Sequence, residues 1–194
     1  MSNGSEVSLA VPTAAAMHAL GQSLAALLRA GDLVILSGGL GAGKTTLTQG
    51  IGHGLGVRGP VTSPTFVIAR VHPPVAPADR VAGLAAPRPP LVHADAYRLG
   101  SALELDDLDL DTDTAASVTV VEWGEGLAEG LAADRLEIAI SPEPAPGPAG
   151  AGQADGPGDL DDPPADVPRR VRITAVGPRW EGVQLPLANL VDRL

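Results

Sequence analysis

The sequence has no cysteine, a single lysine and only four aromatic residues: Phe66, Tyr97, Trp123 and Trp180. The absence of thiols excludes disulfides, zinc–thiolate sites and cysteine nucleophiles, and it suits a reducing compartment. With so few rings, a core has to be built from Val, Leu, Ile and Ala, which a 44% hydrophobic content supplies. No run of 18 apolar residues occurs, so no membrane-spanning helix is expected. The N-terminal MSNGSEVSLAVP lacks a charged segment followed by an apolar one, so no secretory signal is expected either. The expectation is a cytoplasmic protein with no membrane association.

Basic charge is also scarce. The net charge of −10 argues against a broad nucleic-acid-binding face. Six of the acids lie in residues 142–168, which hold no base, so more than half of that imbalance is local. The same segment holds eight prolines, and residues 72–90 hold six more. Such stretches bury too little apolar surface to offset the entropy of ordering. The expected organisation is one domain over residues 1–194, with a Pro-rich loop insertion at 72–90 and an acidic Pro/Gly-rich disordered loop at 142–168.

The remainder alternates between two periods. Val7–Val11, Leu33–Ser37, Phe66–Val71, Leu91–Ala94, Val118–Val121, Leu136–Ile140 and Val171–Val176 are short, branched and apolar, and read as strands. From Thr13 to Arg29, Ala16, Leu20, Leu24, Leu27 and Leu28 recur at helical spacing, with Thr13 as N-cap after Pro12. A second helix is expected from Lys44 to about Leu55, closed by Gly56, and a short one near Gly126–Ala133. Alternating strands and helices imply an α/β sheet, parallel at its centre, with late strands that pair antiparallel.

Gly38-Gly39-Leu40-Gly41-Ala42-Gly43-Lys44-Thr45 matches G-x-x-x-x-G-K-[ST], between a buried strand and a helix. Glycines let successive N–H groups turn inward toward phosphate oxygens, and the helix adds its free N-terminal N–H groups. Lys44 supplies a compact ammonium for β- and γ-phosphates where every other fixed cation is an arginine. The Thr45 hydroxyl suits Mg²⁺. The fold this implies is a P-loop NTPase-like three-layer sandwich, a mostly parallel sheet flanked by helices.

A site of this kind needs an acid at the end of a nearby strand to hold Mg²⁺. Leu91-Val92-His93-Ala94-Asp95 ends at Asp95, and Val118-Thr119-Val120-Val121-Glu122 ends at Glu122. Strand carboxyl ends face the ligand crevice in such sheets, so both are candidates, and their spacing does not rank them. Val61-Thr62-Ser63-Pro64-Thr65-Phe66 reads as a turn, in the place where switch segments meet a γ-phosphate. Arg98 either reaches a phosphate or pairs with a surface acid.

The loop with Thr46, then Thr62-Ser63-Pro64-Thr65, His93-Ala94-Asp95-Ala96-Tyr97-Arg98-Leu99 and Glu122-Trp123, resembles the TsaE family over about residues 10–140. This is the small ATPase family of bacterial tRNA threonylcarbamoyladenosine (t6A) biosynthesis. The resemblance implies that Leu40, Gly41, Ala42, Gly43, Lys44, Thr45 and Thr46 bind ATP, and that Thr45 and Glu122 hold Mg²⁺. Lys44, Asp95 and Glu122 would form the catalytic group, with Asp95 near the γ-phosphate as activator of the attacking water or support for it. Trp123 would lie beside the nucleotide or a partner interface. Arg169, opening a strand that looks like the family's last, would contact the nucleotide, and a residue near Thr13 the base. The implied partners are TsaB- and TsaD-like proteins, which modify adenosine 37 of tRNA, so that tRNA is met only through the complex. Two positions depart from the pattern: Gly39 stands where the family usually has an acid, and Gly124 where it usually has proline, which would loosen the turn after Glu122.

Two rival readings are a P-loop kinase of a small metabolite and a nucleotide-gated binding module without meaningful turnover. Arg80 and Arg88, in the Pro-rich insertion, make a poor kinase lid. Guanine selection through Asn-Lys-x-Asp is unavailable, since the one lysine is already in the loop, which leaves adenine.

Overall fold

A computed structural model describes residues 6–64, 69–75, 88–99, 114–143 and 167–185. Seven strands form one sheet: β1 (Glu6–Val11), β2 (Leu33–Gly38), β3 (Ala69–His72), β4 (Leu91–Asp95), β5 (Val118–Glu122), β6 (Arg135–Pro142) and β7 (Arg169–Val176). Their order is β1-β7-β6-β2-β5-β4-β3. The central run β6-β2-β5-β4 is parallel. β3, β7 and β1 add antiparallel pairings at the two sides. The mixed α/β sheet expected from the sequence is therefore present, and β4 and β5 have buried residues at every position, as central parallel strands require.

Helices α1 (Ala14–Ala25) and α2 (Lys44–Leu55) lie together on one face of the sheet. Their inner stripe (Met17, Leu20, Leu24, Leu47, Ile51, Leu55) packs on Leu9, Val11, Val34, Leu36, Val120, Leu136, Ile138 and Ile173. The helices meet backbone to backbone through glycine: a Cβ on Gly21 would stand 2.3 Å from the Leu47 carbonyl, and one on Gly50 2.1 Å from that of His18. On the opposite face, Leu33, Ile35, Ala94 and Val121 are covered by Ala96, Leu99, Leu127, Ala128 and Ala132.

Element ends differ from expectation in instructive ways. Thr13 does cap α1, its Oγ1 accepting from the Ala16 N–H at 3.1 Å. The helix stops at Ala25 rather than Arg29, because the Ala26 and Leu27 N–H groups tighten to the i−3 carbonyls of Ser23 and Leu24 and the Arg29 N–H is taken by the Asp32 carboxylate at 2.9 Å. The short helix expected near Gly126–Ala133 is a three-residue 3₁₀ turn, Glu129–Leu131. Gly126, at φ 79°, and Gly130 deprive that stretch of helical propensity. Of the strand expected at Phe66–Val71, residues 66–68 lie outside the described residues, and β3 runs from Ala69 to His72.

The described ends of both Pro-rich segments are tied to the fold. The Arg58 N–H bonds to the Pro73 carbonyl at 2.7 Å, the Val75 N–H to that of Gly56 at 2.9 Å, and Arg88 Nη1 reaches the Ala25 carbonyl at 2.9 Å. Pro142 pairs with Arg169 as β6 meets β7, and the Glu143 N–H bonds to the Pro168 carbonyl at 2.9 Å. The expectations for residues 76–87 and 144–166 concern segments outside the described residues. Among the described residues, no helix is long and apolar enough to cross a membrane.

Candidate functional site

The glycine-rich loop joins β2 to α2 at the carboxyl edge of the parallel strands, beside the ends of β4 and β5. Gly43, the residue before α2, holds φ 106°, a conformation L side chains rarely adopt. Leu40 at the tip is 85% exposed, while the Ala42 N–H bonds back to the Gly39 carbonyl at 3.2 Å. The loop is thus anchored at its base and open at its crest. Thr46 lies half-buried in the first turn of α2, where backbone N–H groups have no helical partner.

Lys44 folds back under this loop and is almost fully buried. Its Nζ donates to the carbonyls of Gly38 and Gly39, both at 2.8 Å, and lies 3.6 Å from the centroid of the Trp123 ring. Burial lowers its pKa, and the carboxylates of Glu122 and Asp95 oppose that shift. The result is a largely buried ammonium held by two carbonyls at the base of the loop.

Thr45, the next residue, donates from Oγ1 to Glu122 Oε1 at 2.9 Å and Oε2 at 3.1 Å. The parallel register places Glu122 between Leu36 of β2 and Asp95 of β4, so both acids share the helix-bearing face. They differ in engagement: Asp95 Oδ1 accepts from the Tyr97 N–H at 2.9 Å, in a turn just past β4. The hydroxyl and carboxylate of Thr45 and Glu122 are hard oxygen donors at the foot of a phosphate loop, a set that fits Mg²⁺.

Trp123, directly after Glu122, has φ 59°, the one positive value outside glycine among the described residues. Such a conformation costs on the order of 1–3 kcal/mol and persists where surroundings over-determine it. Here its N–H bonds to the Leu36 carbonyl at 2.8 Å, and its ring contacts both Lys44 and Tyr97, 5.1 Å from the latter. The turn that follows is not loose. The Gly124 carbonyl accepts from Leu127 and Ala128, and a Cβ there would come within 2.9 Å of Val121 Cγ1, so glycine permits a closer approach than proline would.

Arg169, at the start of β7, reaches the loop from the far end of the chain: Nη2 donates to the Gly41 carbonyl at 3.3 Å and Nη1 to that of Val167 at 2.7 Å. Its side chain and Met17 flank Gly43. Lys44, Thr45, Asp95, Glu122, Trp123 and Arg169 are therefore assembled around one loop. Thr13 has its hydroxyl engaged as helix cap, and Thr62 accepts from Arg70 Nη1 at 2.6 Å. Sequence reasoning passed over Met17 and His93. His93 Nε2 sits 2.8 Å from Glu122 Oε1, and its spacing of two from Asp95 on a strand was the signal that they share a face.

Strand, glycine loop, helix and acid-ended neighbouring strands define a P-loop α/β domain. The family model described as "Threonylcarbamoyl adenosine biosynthesis protein TsaE" matches residues 11–146, and the chain belongs to the TsaE family. It is 53% identical to the tRNA threonylcarbamoyladenosine biosynthesis protein TsaE of Streptomyces coelicolor, over 84% of this chain and 93% of that one. To the TsaE of Bacillus subtilis it is 35% identical, over 84% of this chain and 82% of that one. The crystal structure of YdiB from Bacillus subtilis superposes with a TM-score of 0.61 at 27% identity, covering 98% of this chain and 97% of the other. Arg169 lies beyond the segment matched to the family.

Proposed function

We propose that the chain is a Mg²⁺-dependent ATPase, slow by itself, that supports threonylcarbamoyl modification of adenosine 37 in tRNA through a complex with TsaB- and TsaD-like proteins. The observation that carries this reading is the meeting of Thr45 and Glu122 at 2.9 Å beside a buried lysine. Residues 77 apart in sequence bring two hard oxygen donors to the base of a phosphate loop.

In this reading the N–H groups of residues 40–46 and the Lys44 ammonium hold the phosphates of ATP. Thr45 and Glu122 hold the cation, which when bound supplies Lewis-acid polarisation of the phosphoryl oxygens. Asp95, beside Glu122 in the sheet, orients the attacking water in this reading. Arg169, which lies with Met17 beside Gly43, contacts the nucleotide in this reading. The family's role in t6A biosynthesis supports the tRNA assignment.

Calorimetry of ATP binding, with and without Mg²⁺, tests the proposal on wild type and Lys44→Ala. Binding that is tight in wild type and lost in the variant is expected; equal affinities in the two would overturn it. Phosphate release should lie below about 1 s⁻¹ alone, the low end for phosphoryl transfer, and rise with the partners. Fast turnover indifferent to them, or γ-phosphate transfer to a small molecule, would replace this reading with an independent ATPase or kinase.

A further inference from the structure

Behind Glu122 lies a polar side chain that the proposed chemistry leaves unused. His93 is fully buried in β4, on the face it shares with Leu91 and, across the sheet, Val120. An apolar residue would pack there more cheaply, because an imidazole in such a place leaves a nitrogen to satisfy. Its Nδ1 is in fact buried without a hydrogen-bond partner. Its other nitrogen, Nε2, lies 2.8 Å from Glu122 Oε1, the oxygen that also accepts from Thr45 at 2.9 Å.

A carboxylate only accepts, so this contact requires the proton on Nε2, and a neutral ring then carries a bare Nδ1. The orphaned nitrogen and the short contact thus have one explanation: the ring is kept for what Nε2 does to Glu122. We infer that His93 is a positioning residue, holding the Glu122 carboxylate in the orientation that faces the Thr45 hydroxyl and so setting the strength of divalent-cation binding there. Two elements pin the carboxylate, β4 through His93 and α2 through Thr45. When the Thr45 contact opens to admit a cation, His93 still fixes the carboxylate, and the entropy of ordering Glu122 has already been met in the folded protein. Ligands supported in this way gain affinity from their outer partner, and losing that partner typically costs about 10–100-fold.

The inference rests on the reading of Thr45 and Glu122 as cation ligands, and its test separates the two. The affinity of a non-hydrolysable ATP analogue is measured by calorimetry with Mg²⁺ and with EDTA, for wild type and for His93→Leu, His93→Asn and His93→Gln. Glutamine can present an N–H near the position of Nε2, whereas asparagine reaches only toward Nδ1. The Leu and Asn variants should lose about 10–100-fold of the Mg²⁺-dependent gain in affinity and keep their affinity in EDTA. The Gln variant should retain most of that gain. A merely structural role would weaken binding equally in both conditions and would not distinguish Gln from Asn. Leu and Asn variants that retain the full Mg²⁺ gain, or a Gln variant no better than Asn, would overturn the role of His93 alone. A wild type that gains nothing from Mg²⁺ would overturn the cation reading itself and this inference with it.

Discussion

The ammonium of Lys44 rests against the face of Trp123, 3.6 Å from the ring centroid, and the Tyr97 ring meets the same indole at 5.1 Å. A cation over an indole in a partly desolvated place is worth about 1–2 kcal/mol, well below what a multiply charged phosphate offers the same ammonium. A phosphate in the loop therefore draws Lys44 from the ring. In a Trp180→Phe background, where Trp123 is the one remaining tryptophan, nucleotide should change emission intensity and wavelength. Unchanged emission at saturating ATP would show that Lys44 stays on the indole.

The two acids should separate in their metal dependence. Glu122→Ala, which removes the Thr45 partner, should raise the Mg²⁺ concentration needed for half-maximal phosphate release at least about tenfold, leaving binding in EDTA near wild type. Asp95→Ala should lower the rate at saturating Mg²⁺ with little change in that requirement. Titration of hydrolysis with Mg²⁺ for both variants is the measurement, and the reverse pattern would exchange the two roles.

Two adjacent loop glycines should respond oppositely to a side chain. A Cβ on Gly38, at φ 140°, would lie 2.3 Å from the Ile140 carbonyl, whereas one on Gly39 meets nothing within 4 Å. Gly38→Ala should cost at least about 1–3 kcal/mol, and each kcal/mol corresponds to about 2–4 °C in melting temperature at this size. Gly39→Glu should leave thermal melting unchanged. Equal melting of the Gly38 variant and wild type would show that β6 yields.

Acid sensitivity should trace to His72. Burial, reinforced by the neighbouring His93 and Arg70, pushes its pKa below the ordinary 6.5. Below that pH the unfolded chain binds a proton that the folded chain resists, so the contribution is present above about 6.5 and declines as pH falls beneath it. His72→Leu should flatten the fall in melting temperature between about pH 6.5 and pH 5. An identical pH profile in the variant would move the effect elsewhere.

The phosphate loop was legible in the sequence because its chemistry is local: eight contiguous residues between a buried strand and a helix carry it. The ranking of Asp95 against Glu122 was not, since it depends on the β2–β5 register and on how the first turn of α2 presents Thr45. Nor can spacing show that Arg169 comes within reach of Gly41, 128 residues earlier. That approach follows from β7 entering the sheet antiparallel, between β6 and β1. His93 was half legible: period two put it on the face of Asp95, but not against Glu122. The end of α1 was misjudged because Asp32, outside the periodic run, competes for the Arg29 N–H.

The glycine crossing of α1 and α2 has a mechanical consequence. With the sites of the missing Cβ atoms 2.1–2.3 Å from carbonyls of the facing helix, no side chain fits in the crossing, so any larger residue there must push α2 away from α1. A shift of α2 would carry Lys44 and Thr45 with it, since they open that helix.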